Sequence, residues 1–192
     1  MLAQTAFLHL LVQLSGYASA SGELVEALRG LVVLRSGKRG EVLVERGKRQ
    51  KVVWFLHSGS AKEVSPCERV AGGRVSWFWF SSDFLFSFPG FFAQLPAVSS
   101  VELVEDSVLL ELSFGDFASL RERFLELGVM VEKIRAHYEK GRVAHAGDLV
   151  DLSAKERFDK FFKLHKGLFN VVRHKDIASF LGIRDDGFHR YW

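Results

Sequence analysis

The apolar positions of this chain change period along its length, and each change predicts a different element. Near the N-terminus Phe7, Leu10, Leu11 and Leu14 recur every three or four residues, the spacing of an amphipathic helix. Residues 24–34 (LVEALRGLVVL) predict a second short helix running into a first strand. From there to about Ser113 the punctuation is regular, with turn signals at Ser36-Gly37, Arg46-Gly47, Ser58-Gly59, Gly72-Gly73, Ser81-Ser82-Asp83, Pro89-Gly90 and Asp106-Ser107. Between them lie the β-rich runs EVLVE (41–45), KVVWFLH (51–57), RVSWFWF (74–80), SVELVE (100–105) and VLLELS (108–113). Short strands at this spacing predict an all-β sandwich or barrel, most simply a jelly roll. Strict alternation in RVSWFWF would put Val75, Trp77 and Trp79 on one face and Ser76, Phe78 and Phe80 on the other, a strand buried on both sides.

FSFPGFFAQLP (86–96) interrupts the strands and predicts a turn followed by a short helix. The period then becomes helical. From Phe117 onward, Leu120, Phe124, Leu127, Val131, Ile134 and Tyr138 recur every three or four residues, predicting one long helix weakened at Gly128 and Gly141. A single apolar stripe of this length needs a partner. A twin copy in a homodimer is the economical one, with Leu127, Val131, Ile134 and Tyr138 as the seam, and packing on the chain's own β-domain is the alternative. After Gly147, Ser153 with Glu156 three residues on makes a capping box for a further helix, whose apolar face is Phe158, Phe161, Phe162 and Leu164.

The last nineteen residues, HKDIASFLGIRDDGFHRYW, give the pattern a purpose. Ile177, Ala178 and Leu181 share one face of a short helix, and Gly182 follows where a tight turn wants positive φ. Ile183, Phe188 and Tyr191 can pack back on that face, leaving Arg184, Asp185, Asp186, His189 and Arg190 to point outward. This is the pattern of a helix-turn-helix whose second helix reads DNA. The fold class is therefore α+β. It comprises an N-terminal double-stranded β-helix, or jelly roll, with leading helices (1–115), a long dimerisation helix (116–149) and an all-α helix-turn-helix domain (150–192).

Charge supports that division. Residues 151–192 carry nine Lys and Arg against six Asp and Glu, whereas the first 150 residues carry seventeen of each, so the net +3 belongs to the tail. Eighteen Phe point to a core built from aromatic rings, and the single Cys67 excludes a disulfide framework and an iron–sulfur cluster within one chain. The apolar start followed by Ala18-Ser19-Ala20 superficially resembles a signal peptide. It lacks a basic leader and is interrupted by His9 and Gln13, and no stretch approaches the length of a membrane span. A cytoplasmic protein that meets no membrane is expected.

Four segments, in order, resemble the Crp/Fnr family of bacterial transcriptional regulators, most closely its Bacteroidetes-type branch. They are SGSAKEV (58–64), GGRVSWFWFSSDFLFSFPGFF (72–92), LSAKERFDKFF (152–162) and KDIASFLGI (175–183), and the resemblance spans nearly the whole chain. It implies a cyclic-nucleotide-binding-like β-roll, a homodimer, a palindromic DNA operator and RNA polymerase as a further partner. By segment matching, the family's ribose-contacting Gly-Glu pair falls at Phe86-Ser87, and its phosphate-holding Arg-Ser pair at Ala97-Val98. With the adjoining Ser99 these residues form the expected ligand pocket. A cyclic phosphate against Ala and Val would be an uncompensated buried charge, which argues against cyclic AMP in the usual pose. Either the pocket takes an apolar or aromatic ligand between its Phe residues or it is filled by its own side chains and senses nothing, and no cofactor is expected.

The same resemblance assigns roles in the reading helix. Arg190 matches the position that reads guanine through a bidentate pair, with His189 pointing the same way. Asp185 or Asp186 would accept from a cytosine amino group, while Arg184 and Lys175 would clamp phosphates. The helix departs from the family pattern at Gly187, which costs about 1 kcal/mol relative to Ala in a helix. A ligand-binding or interaction module with a degenerate DNA-binding end is the alternative. His137 and His145 are eight apart, the wrong interval for a metal pair on one helix face, so no metal site is expected. No phosphate loop or nucleophile elbow marks an enzyme.

Overall fold

A computed structural model describes residues 1–68 and 72–191, apart from the side chains of Asp185 and Asp186. Helix α1 (Leu2–Ser15) buries Ala6, Phe7, Leu10 and Leu14. Helix α2 (Gly22–Leu31) starts at Ser21, whose hydroxyl accepts from the Leu24 amide. Eight strands follow: β1 (Val33–Gly37), β2 (Val42–Val44), β3 (Val52–Ser58), β4 (Ala61–Ser65), β5 (Arg74–Trp79), β6 (Phe84–Leu85), β7 (Ser100–Leu103) and β8 (Ser107–Ser113). They form two four-stranded antiparallel sheets, ordered β1-β8-β3-β6 and β2-β7-β4-β5. The chain passes repeatedly between the two sheets, which is the jelly-roll path the turn spacing predicts. Gly59, at φ +104° in the β3–β4 turn, packs so closely on Ser107 that a Cβ would lie 2.1 Å from its hydroxyl.

The alternation expected in β5 fails at one point. Trp77 pairs with Glu63 but Val75 pairs with Val64, so Ser76 is an extra residue in the ladder. This bulge brings Val75 onto the same outward face as Phe78, where both meet the C-terminal helices, while Trp79 belongs to the main core. The short helix expected at Pro89-Gly90 is present as α3 (Gly90–Ala93).

The long helix is two helices. Helix α4 (Phe114–Arg123) is capped by Ser113 and ends at Phe124, whose extended backbone (φ −125°, ψ 102°) breaks the run before α5 (Leu125–Asp151). Periodicity missed the break because Phe124 is still buried on the same side. A second correction concerns the dimer seam. Leu127, Val131, Ile134 and Tyr138 are all buried within their own chain, in one core with Phe84, Phe86 and the leading helices. The open side of the β-roll was the nearest apolar surface, and the stripe covers it.

Beyond α5 come α6 (Ala154–His165), a 3-10 turn over Lys166–Asn170, α7 (His174–Phe180), the single-turn α8 (Asp185–Phe188) and a 3-10 turn over His189–Tyr191. The capping box of α6 forms as expected, with Ser153 and Glu156 exchanging hydrogen bonds. These helices do not close a core of their own. Phe158, Phe161, Leu168, Phe169, Ile177 and Phe180 share one hydrophobic cluster with Val75, Phe78 and Val104 of the β-roll. The two sheets are thus each covered by helices, β1-β8-β3-β6 by α1, α2, α4 and α5, and the outer face of β4 and β5 by α6 and α7.

Candidate functional site

The terminal helices place most of the expected DNA-facing groups on the surface. Ile177, Ala178, Leu181, Ile183 and Phe188 are buried, and Gly182 takes φ +63° in the turn between α7 and α8. Phe188 anchors α8 by its ring contacts with Phe158 and Phe169, at centroid distances of 5.6 and 6.5 Å. With that side fixed, Lys175, Arg184, His189 and Arg190 are all exposed. The side chains of Asp185 and Asp186 lie outside the described residues.

The expected ligand pocket is not a pocket. Phe86, Ser87, Ala97 and Ser99 are buried, but Val98 is 54% exposed and faces away from them. Ser87 donates from both its amide and its hydroxyl to the Gln50 side chain, and the Ala97 amide donates to the Lys48 carbonyl. Ser99 donates to the Glu63 carboxylate at 2.6 Å. Glu63, itself 4% exposed, also takes an ion pair from Arg142 of α5. The Arg142 guanidinium lies 5.0 Å from the Trp77 ring centre, with Trp79 and Phe88 also beside it. Where a bound anion would meet Ser99, the chain supplies a carboxylate of its own.

Phe86 borders a void of about 80 Å³ between β3, β8 and the helices α1 and α5. Its walls are Phe55, Phe84, Phe91, Leu110 and Ile134 among others, so it is dry. Above it, α5 is pinned by Tyr138. The Tyr138 hydroxyl accepts from the Phe84 amide at 2.7 Å and donates to Asp83 at 2.9 Å. Burial first, and the Asp83 charge second, push the Tyr138 phenol well above its ordinary range. Burial likewise raises the Asp83 carboxyl, against the hydrogen bonds from the Phe80 amide and Tyr138 that lower it.

Sequence reasoning missed the contact between the β-roll and α7. Lys62, 3% exposed, reaches Asp176 at 3.0 Å and Glu102 at 3.5 Å. Burial pushes the Asp176 carboxyl up, but hydrogen bonds from Lys62 and Arg173 outweigh it and hold the group below the usual carboxylate range. One turn on, Ser179 accepts from the Val75 amide on the open edge of β5 at 3.1 Å. The signal was the adjacent charged pair Lys62-Glu63 in an interior strand, where each charge faces an opposite side and demands a partner.

No family model and no curated protein matches the chain in sequence. Its fold is found among solved structures. FixK2 from Bradyrhizobium japonicum superposes with a TM-score of 0.72 at 14% identity, covering 84% of this chain and 82% of that one. A transcriptional regulator assigned to the Crp/Fnr family, from Eubacterium rectale, gives a TM-score of 0.73 at 12% identity, over 90% and 82% of the two chains. The c-di-GMP responsive global regulator CLP from Xanthomonas campestris gives 0.64 at 15% identity, over 89% of each. The chain shares its overall fold with these proteins.

Proposed function

We propose that the chain is a homodimeric DNA-binding transcriptional regulator of the Crp/Fnr type. In this reading the β-roll and leading helices (1–115) form the sensing part, α5 within the middle segment (116–149) joins two copies, and the terminal helices (150–192) meet a palindromic operator. The observation that carries it is the exposure of Lys175, Arg184, His189 and Arg190 around a turn whose apolar side is fully buried. Arg190 and His189 then face base edges, Arg184 and Lys175 face phosphates, and Asp185 or Asp186 takes a cytosine amino group. RNA polymerase is a further partner in this reading, and catalysis has no part in it. No described helix is long and apolar enough to cross a membrane, in keeping with a cytoplasmic regulator.

Two finer assignments belong to this reading. An effector other than cyclic AMP in the usual pose is supported by Ala97 and Val98 at the expected phosphate position and by the Glu63 carboxylate that the adjoining Ser99 already binds. The dimer seam moves to the far side of α5. Leu125, Val129, Val143 and Val150 are 85, 49, 67 and 84% exposed, and Val129, Ala136, Val143 and Val150 stand seven residues apart. These residues supply one of the two apolar positions per heptad that a left-handed helix pair uses. Sedimentation of Val143→Glu should give a monomer where the parent chain gives a dimer.

A salt series of binding to a palindromic promoter fragment tests the DNA reading. Log K should fall steeply with log salt, and Arg184→Ala and Arg190→Ala should flatten that slope by about one unit each. Absence of binding at low salt would sink it. That outcome would favour the second reading, a ligand-binding or interaction module with a degenerate DNA-binding end. The docking of α7 on β4 through the buried Lys62–Asp176 pair and on β5 through Ser179 supports that second reading.

A further inference from the structure

The joint between the β-roll and the terminal helices holds a cavity of about 250 Å³, open on one side to solvent and roughly three times the void beneath α5. Its floor is Trp77, Phe78 and Phe80 at the end of β5, and its walls come from α5, α6 and α7. Two imidazoles border it in matching poses. His145 lies flat on Phe180, with centroids 3.9 Å apart and planes 3° apart, and His165 lies flat on Phe80 at 4.1 Å and 4°. Helix α5 comes close to the floor only because Gly141 is there, since a Cβ would lie 3.0 Å from the Trp77 ring.

The charges at the cavity are already committed. Lys160 is ion-paired with Asp148, and the Arg157 guanidinium donates to the backbone carbonyls of Leu152 and Leu181. Burial lowers the pKa of both His145 and His165, so near neutral pH each is an uncharged ring with one donor and one acceptor nitrogen. Among the described residues, no group hydrogen-bonds the His165 ring. The cavity therefore offers flat aromatic walls, a free neutral imidazole and no uncommitted charge.

We propose that this joint is a binding site for a small uncharged aromatic molecule, of one or two rings, whose hydroxyl or ring N–H hydrogen-bonds His165. The volume suits a fused two-ring compound, and the walls supply stacking partners on more than one side. An anion is disfavoured, because capturing it would require breaking the Lys160–Asp148 pair. A bound ring would touch β5, α5, α6 and α7 at once and hold the terminal helices against the β-roll. The site stands whether or not those helices bind DNA.

Titration calorimetry on the full chain near neutral pH, with 2-naphthol as probe and 2-naphthoate as its anionic counterpart, tests it. We expect saturable binding of one 2-naphthol per chain, and binding of 2-naphthoate at least about tenfold weaker. Ala144→Phe, which puts a ring into the cavity from an exposed helix position, should weaken 2-naphthol at least about tenfold, and His165→Phe, which keeps the stack on Phe80, several-fold. No saturable binding, equal affinity for the naphthoate, or undiminished binding in either variant would overturn the assignment. Thermal melts establish that each variant is folded, and if Ala144→Phe is not, His165→Phe decides.

Discussion

The two sheets of the β-roll are covered in chemically opposite ways. Over β1-β8-β3-β6, the helices α1, α2, α4 and α5 seal the surface by packing Leu10, Leu28, Phe117 and Ile134 on strand residues such as Phe55 and Leu110, and the void beneath them is small and apolar. Over β4 and β5, the terminal helices are held by a buried ion pair, a serine on a strand edge and two imidazole–phenyl stacks around a larger cavity. The first cover is mostly apolar, with polar contacts at its margin where His9 meets His57 and Ser82 and where Tyr138 meets Asp83. The second depends on charge, protonation and whatever fills the cavity, so it is the cover that conditions loosen more.

The comparison can be broken from either side. The largest effect is expected from Phe91→Ala, which removes a fully buried ring beneath the first cover and should cost about 3–5 kcal/mol in global unfolding. Lys62→Met leaves Asp176 buried with only Arg173 to pair it and should cost ~3 kcal/mol, read as faster hydrogen exchange in α6 and α7 rather than in α1. The double variant Lys62→Met/Asp176→Leu should recover most of that loss. Gly182→Ala forces a side chain into φ +63° and should cost roughly 1 kcal/mol, again confined to the terminal helices.

The smallest effect is a pH effect. Burial lowers the pKa of His145 and His165 in the folded chain, so the unfolded chain binds more protons as pH falls through their ordinary value of 6.5. The stability these rings contribute is present above that value and is lost on acidification. Asp176, held low, keeps its contribution until pH drops toward its ordinary 3.8. Because burial and the neighbouring His57 also lower His9 on α1, hydrogen exchange between neutral and mildly acid pH should loosen both covers, the second, with its two stacked rings, more than the first. Equal loosening of both covers would erase the distinction between them.

How far the sequence revealed this depends on whether a pattern names its own partner. The strand spacing, the capping box at Ser153 and Glu156 and the turn at Gly182 are local devices, and each forms where the residues predict it. The stripe Leu127, Val131, Ile134 and Tyr138 is local only in its spacing; what covers it is decided by residues far away, here Phe84 and Phe86. The Ser76 bulge was hidden for a similar reason, because it is a mismatch between two strands, visible only once β4 is aligned beside β5. The candidate pocket was misplaced at Val98, since a segment match fixes a position in the chain and not the direction of its side chain.

Tyr138 gives the molecule a mechanical property. Its hydroxyl ties α5 to the turn between β5 and β6, and from there the helix runs on to Asp151. At 1.5 Å per residue that stretch is roughly 20 Å long, and a tilt of about 10° at the tyrosine would carry its far end about 3 Å. It is fastened on the way, at Arg142 by Glu63 and at His145 by Phe180. A displacement at the rim of the β-roll therefore reaches the start of α6 only by straining those contacts, so the rim, the Glu63 pair and the joint with α7 move together or not at all.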